Sequence, residues 1–255
     1  MTCTAAAARQ ALRAYAEPDR IPDHQRSFKT GKGEYGEGDR FIGVRAPNTR
    51  SVAKRFKELP LPEVTKLLTS KVHEERLLAL AICELQMRAT WKFNFQVGVR
   101  TDKARKDIVD LYLAHAAFVN NWDLVDASAY QILGAYLLMR PKRERSVLTR
   151  LARSGHLWEE RIAIVATMAF IREGQLDETF RIAKILQHHE HDLIHKAVGW
   201  LIREAGTRDE PRLHAFLQEQ TKGVPRYQTL PRTCLRYAIE RFPEGERKRY
   251  LQGDV

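Results

Sequence analysis

Long apolar runs are missing from this 255-residue chain: none approaches the roughly twenty residues that a membrane-spanning helix needs. Residues 1–16, MTCTAAAARQALRAYA, lack an apolar core followed by a cleavage site, so a first helix is expected there and not an export signal. Cysteine is scarce. Cys3, Cys83 and Cys234 lie far apart and form no CxxC pair, which points to a reducing, cytoplasmic setting. Alternating Val- or Ile-rich stretches are scarce too, so no sheet is expected. A serine nucleophile elbow, a P-loop, a kinase signature, a helix-turn-helix and zinc-finger spacing are all absent.

What is present is helical. From about residue 60 onward apolar residues recur at three- and four-residue spacing, as in Leu77, Leu80, Ala81, Leu85 and in Ile162, Val165, Ala169. Breaks are expected at Pro60/Pro62, Pro141, Gly155, Gly174, Gly206 to Pro211, and Pro225/Pro231. Between them a basic residue repeatedly opens a small, apolar helix: Arg76-Leu-Leu-Ala, Arg161-Ile-Ala-Ile, Lys196-Ala-Val-Gly and, more loosely, Arg232-Thr-Cys-Leu. The last three lie about 35 residues apart, the period of stacked helix pairs. The expected fold is all-α, an α-solenoid of HEAT-like repeats in which each pair buries one face against its neighbours. One domain is expected over 1–255, with an N-terminal helix and Gly-rich loop at 1–47, repeats over about 48–242 and a tail at 243–255. The basic helix starts would line a concave groove. With a formal net charge of +11, such a groove suits a polyanion. Charge alone proposes a class of partner and stops there.

The stretch SFKTGKGEYGEGDRFIGVRAP, residues 27–47, contains GxGxxG at Gly31, Gly33 and Gly36. A dinucleotide fingerprint needs a strand before it and a helix at once after it. Neither is apparent, so an ordered loop against the helices is expected, leading to a helix capped near Asn48. In QHHEHDLIH the i, i+4 pair His191/His195 has zinc-gripping spacing. The HExxH pattern is missed, however, because Leu193 stands where its second histidine belongs, and no third ligand is near. An interhelical turn is the better reading.

Asn120-Asn121-Trp122-Asp123-Leu124-Val125-Asp126 is unusual in a helical region, since short polar side chains compete for the backbone. Trp122 and Asp126, four apart, share a helix face, while Asp123 points about 100° away. Taken alone, the pair reads as packing beside a capping or solvated aspartate. Arg161 in WEERIAIVATMAF and Trp200 with Arg203 in HKAVGWLIREAG are equally ordinary alone. Their equivalent places in consecutive repeats would let them converge.

Phe41-Ile-Gly-Val-Arg-Ala-Pro-Asn-Thr-Arg50, NNWDLVD, Trp158-Glu-Glu-Arg161 and Lys196-Ala-Val-Gly-Trp200-Leu-Ile-Arg203-Glu204 follow in the order found in DNA alkylation repair proteins of the AlkD type. The chain resembles that family of HEAT-like-repeat DNA glycosylases over about residues 25 to 240. The resemblance implies Asp126 as the catalytic aspartate, flanked by Trp122 and Trp200. It implies DNA contacts from Arg161 and Arg203, with Lys196, Arg50 and Arg45 as lesser ones. It also implies excision of N3- or N7-alkylated purines from double-stranded DNA without base flipping and without a metal or organic cofactor. A cytoplasmic monomer, nucleoid-associated when on DNA and free of membranes, is expected. Two alternatives stay open: a glycosylase for bulky natural-product adducts, or a non-catalytic binder of branched or distorted DNA. A protein–protein adaptor, the commoner use of α-solenoids, is a more distant rival.

Overall fold

The computed structural model describes residues 3–92 and 99–255 and is all-α apart from one minimal hairpin. Two compact units emerge, Met1–Tyr136 and Leu137–Val255. The first holds α1 (Ala5–Arg13), α2 (Ile21–Ser27), α3 (Ala46–Arg55), α4 (Leu61–Leu68), α5 (His73–Lys92), α6 (Val99–Ala114) and α7 (Trp122–Ala129). A π-helical turn, Tyr130–Gly134, follows α7 and leads into α8 (Ala135–Leu138). The second unit contains α9 (Ser146–Leu151), α10 (Leu157–Ala166), α11 (Met168–Arg172), α12 (Asp177–Leu186), α13 (Asp192–Arg208), α14 (Glu210–Gln218), α15 (Arg226–Thr229), α16 (Arg232–Ala238) and α17 (Glu244–Gln252).

In the first unit α5 is the hub, with α3, α4 and α7 packed on it. Its deepest residues are Leu78, Ala79, Ile82, Cys83 and Met87. Of the α5 residues noted for their spacing in the sequence only Leu80 is buried; Leu77, Ala81 and Leu85 are half-buried. Because α5 is covered on several sides, one apolar stripe does not describe it.

In the second unit α10 packs on α13 and α13 on α16, which gives the stacking expected of the 35-residue period. Gly199 makes the second contact possible. A Cβ there would lie 2.5 Å from both the Cys234 carbonyl oxygen and the Tyr237 Cβ. Gly199→Ala is therefore expected to lose about 1–3 kcal/mol through forced separation of α13 and α16. Urea denaturation measures it, and an unchanged midpoint would refute the close-packing account.

Several boundaries differ from expectation. The helix expected to be capped near Asn48 begins at Ala46, because Pro47 suits a first turn whose N–H groups have no helical acceptor. Gly206 lies inside α13, where Leu213 packs so closely that a Cβ would come within 2.3 Å of its side chain. The break expected between Gly206 and Pro211 falls at Asp209, whose carboxylate caps α14. Residues 243–255 are no tail: they contain α17, which buries Tyr250 and ends at Gly253 in the left-handed conformation. Gln220–Thr221 and Val224–Pro225 pair as a hairpin across Lys222 and Gly223, both at positive φ.

Candidate functional site

The polar residues of NNWDLVD are accommodated at a helix entrance. Asn121 is the N-cap of α7, and its side-chain oxygen accepts the Trp122 amide at 2.9 Å. Its Nδ2 donates to the Phe28 carbonyl at 3.2 Å, tying the cap to the Gly-rich loop. Asn120 lies outside the helix and donates to Asp39 at 3.1 Å. Asp123 occupies the first turn, where the helix dipole favours an anion. Trp122 and Asp126 are both half-buried, one turn apart on the same face. Beneath them Tyr112 is fully buried, its hydroxyl 3.0 Å from Ser128 Oγ. Burial pushes the Tyr112 phenol far up; the Ser128 hydrogen bond opposes this and the Asp126 charge adds to it.

Asp123 is committed elsewhere. His73, 1% exposed at the start of α5, stands with Nε2 2.8 Å from Asp123 and Nδ1 3.3 Å from Asp39. Arg76 donates to Asp39 at 2.6 Å and to the Ser70 carbonyl at 2.9 Å. Burial pulls the His73 pKa down, but the Asp123 charge and the hydrogen bonds of Asp123 and Asp39 outweigh it and hold it above the ordinary value. For Asp39, burial raises the carboxyl, and His73, Arg76 and Asn120 together bring it below the usual range. Aromatic rings close the cluster: Phe28 stacks on Phe41 at 5.3 Å, on His73 at 4.8 Å and on Trp122 at 5.5 Å.

Behind this cluster the Glu74 carboxylate accepts the amides of Ile42, Gly43 and Val44 at 2.8–3.2 Å. Arg45, next along, is exposed and paired with Glu17 at 3.0 Å. Arg50, Lys54, Arg88, Tyr130 and Gln131, with Glu84, line a cavity of about 300 Å³. Arg88 bonds Gln131 at 2.7 Å and Glu84 at 2.9 Å. Tyr130, one of the lining residues, follows Asp126 by four positions in the chain.

The second unit treats its expected site residues differently. Trp200 is half-buried on α13, and Lys196 pairs with Asp192 at 2.6 Å. Arg161 is only 5% exposed and donates to the Leu193 carbonyl, joining α10 to the start of α13. Arg203 is held by Glu204 and Glu240. The recurring basic starts therefore do not share one role. Arg76 and Arg161 are buried in hydrogen bonds, while Lys196 and Arg232 reach solvent. In the histidine turn, His189 Nδ1 accepts the His191 amide, leaving its Nε2–H to donate to Glu160 at 2.8 Å. His191 Nδ1 accepts the Leu193 amide at 3.1 Å and caps α13. Burial, then His189, His195 and Arg161, lowers the His191 pKa, with Asp192 opposing. Among the described residues no His, Cys, Asp or Glu group is arranged to hold a metal ion, and no helix is long and apolar enough to cross a membrane.

Residues 8–242 match the family model described as DNA alkylation repair enzyme. The chain belongs to the DNA alkylation repair enzyme family. A solved structure, that of a predicted DNA alkylation repair enzyme from Enterococcus faecalis, is similar at 14% identity with a TM-score of 0.65. The likeness covers 90% of this chain and 97% of that one, and at this identity it speaks for the fold alone. No curated protein matches the chain. Membership makes alkylation damage the business of this enzyme and DNA its partner. In this DNA alkylation repair enzyme the residues missed by sequence reasoning are Asp39, His73 and Glu74. For His73 and Glu74 the signal was the charged run His73-Glu-Glu-Arg76 opening a helix too apolar to be solvated all round.

Proposed function

We propose that the chain is a monofunctional DNA N-glycosylase of the AlkD type, releasing cationic N3- or N7-alkylated purines from duplex DNA without flipping them. One observation carries this reading. Trp122 and Asp126 are presented together on α7, while the competing carboxylate, Asp123, is held by His73. An N3- or N7-alkylpurine already carries a positive charge. When the C1′–N9 bond breaks, its electron pair moves onto the purine, which departs neutral and needs no general acid. Positive charge then develops on the deoxyribose, as in other oxocarbenium-like transition states. The Asp126 carboxylate stabilises it and orients the water whose oxygen bonds to C1′; that water gives its proton to Asp126 or to solvent. The exposed part of the Trp122 indole adds about 0.5–2 kcal/mol of cation–π attraction; its other side is taken by Phe28. Trp200 would offer a second indole to the nucleotide.

Phosphates, which position a duplex without reading its sequence, fall to Arg45, Arg50 and Lys196. Lys54, in the same cavity as Arg50, joins them. Arg161 and Arg203 would join them by exchanging their present partners for phosphate oxygens. Affinity for duplex DNA is accordingly expected to fall steeply with salt. Arg50→Ala combined with Lys54→Ala should flatten the log–log slope by about two, one for each lost contact. A slope identical to that of the unaltered protein would remove the cavity from the DNA path. The deciding assay compares base release from duplexes bearing 3-methyladenine, 7-methylguanine and a bulky N3-adenine adduct. Tight binding to all three with release from none would leave a non-catalytic reader of damaged DNA.

A further inference from the structure

The Gly-rich loop lies far from Asp126 in sequence, yet three of its contacts end on the α7 entrance. Phe28 at its base accepts from Asn121 and stacks on Trp122. Gly36 sits so close to the Phe28 carbonyl that a Cβ would be 2.3 Å away, and 3.3 Å from the Asn121 amide nitrogen. Asp39 at its end accepts from Asn120, Arg76 and His73. His73 in turn reaches Asp123 on α7. Resting on the glycosylase reading, we propose that His73 is a positioning residue: clamped between Asp39 of the loop and Asp123 of α7, it fixes the helix that presents Trp122 and Asp126.

The chemistry of the clamp follows from its donors. An ionised carboxylate only accepts hydrogen bonds, and carboxylates face both ring nitrogens of His73. Both nitrogens donate only in the imidazolium form. Loss of one proton sets a nitrogen lone pair against a carboxylate and releases one of the two anchors. The groups around the ring are Asp39 from the loop, Asp123 from α7, Arg76 from its own helix, and the Phe28 and Phe41 rings. Of the charged groups only Arg76 opposes the cation, and it is itself bound to Asp39. The sign is fixed by the raised pKa. The clamp is fully formed below the ordinary histidine value of about 6.5 and is lost as pH rises through the higher value of the folded state.

The test uses the full chain and a duplex carrying 7-methylguanine, in single turnover, over roughly pH 5.5 to 9. His73→Gln is expected to lower the release rate at the acid end by at least about tenfold, with duplex affinity unchanged within about twofold. The variant should also lack the decline that the unaltered protein shows as His73 deprotonates. Asp39→Asn, which keeps the loop's shape, should move that decline to lower pH by removing one anion from the ring. A second readout needs no activity: amide hydrogen exchange over Trp122–Ala129, compared at one pH, should accelerate by about tenfold in both variants. Unchanged exchange on α7 with an unshifted pH profile in folded Asp39→Asn would overturn the clamp. Equal losses of affinity and rate would do the same. If the unaltered protein releases no base from any alkylated duplex, the glycosylase reading falls, and exchange alone still decides whether His73 and Asp39 hold α7.

Discussion

Asp126→Asn is expected to slow purine release by about a hundredfold or more while duplex binding stays within about twofold. The size follows from electrostatics. A carboxylate about 4 Å from a developing unit charge, at an effective dielectric of about 20, gains roughly 4 kcal/mol before desolvation. Each 1.36 kcal/mol retained is about a factor of ten in rate. The amide conserves shape and a hydrogen-bond acceptor but neither the charge nor the basicity, so the loss reports electrostatic stabilisation together with any proton acceptance by Asp126. Asp123→Asn is the informative companion. At the acid end, where His73 is still an imidazolium, an amide oxygen there accepts from it and should preserve most of the rate, while the decline with rising pH should move to lower pH. Single-turnover release from 7-methylguanine duplexes measures both. A pattern in which Asp123→Asn is inert and Asp126→Asn active would end the assignment.

Gly43→Ala is expected to cost the first unit about 3 kcal/mol or more. Gly43 has φ +78°, a conformation that L-residues with a Cβ adopt at a cost of roughly 1–2 kcal/mol. The added methyl would also lie 2.0 Å from the Glu17 carbonyl oxygen, so backbone must shift. That shift pulls amides away from the Glu74 carboxylate, which is 2% exposed and cannot turn to water instead. A buried anion short of donors adds roughly 1–3 kcal/mol. Urea or thermal unfolding of the variant checks this; stability within about 1 kcal/mol of the parent would mean that the loop carries no such constraint.

The helical class and the stacking of α10, α13 and α16 were legible because repeating apolar helices at a 35-residue period have few other ways to bury themselves. The Trp122/Asp126 pair was legible because four residues is one turn wherever α7 begins. Partnerships were not. Arg76 and Arg161 look like surface cations at helix starts, yet each is buried by contacts made with distant residues, Asp39 in one case and Leu193 in the other. Within the expected break of Gly206 to Pro211, the stop at Asp209 and not at Gly206 was not legible, because the sequence does not show that Leu213 packs against Gly206. The segment 243–255 is rich in charge and so reads as a tail. Only the burial of Tyr250, against Tyr227 and beside His214, makes it a helix worth forming. What periodicity conveys is the element. What it omits is the long-range partner.

The Asn121–Phe28 hydrogen bond spans 93 positions of the chain, and Asn120–Asp39 spans 81. During synthesis, then, the Gly-rich segment emerges long before the helix it will clasp. Contacts of such wide separation form slowly, since the ends of a long loop must first meet. A nascent protein halted before α7 would carry Asp39, His73 and Phe28 without their counterparts, and repair competence would arrive only once the ribosome has passed that point.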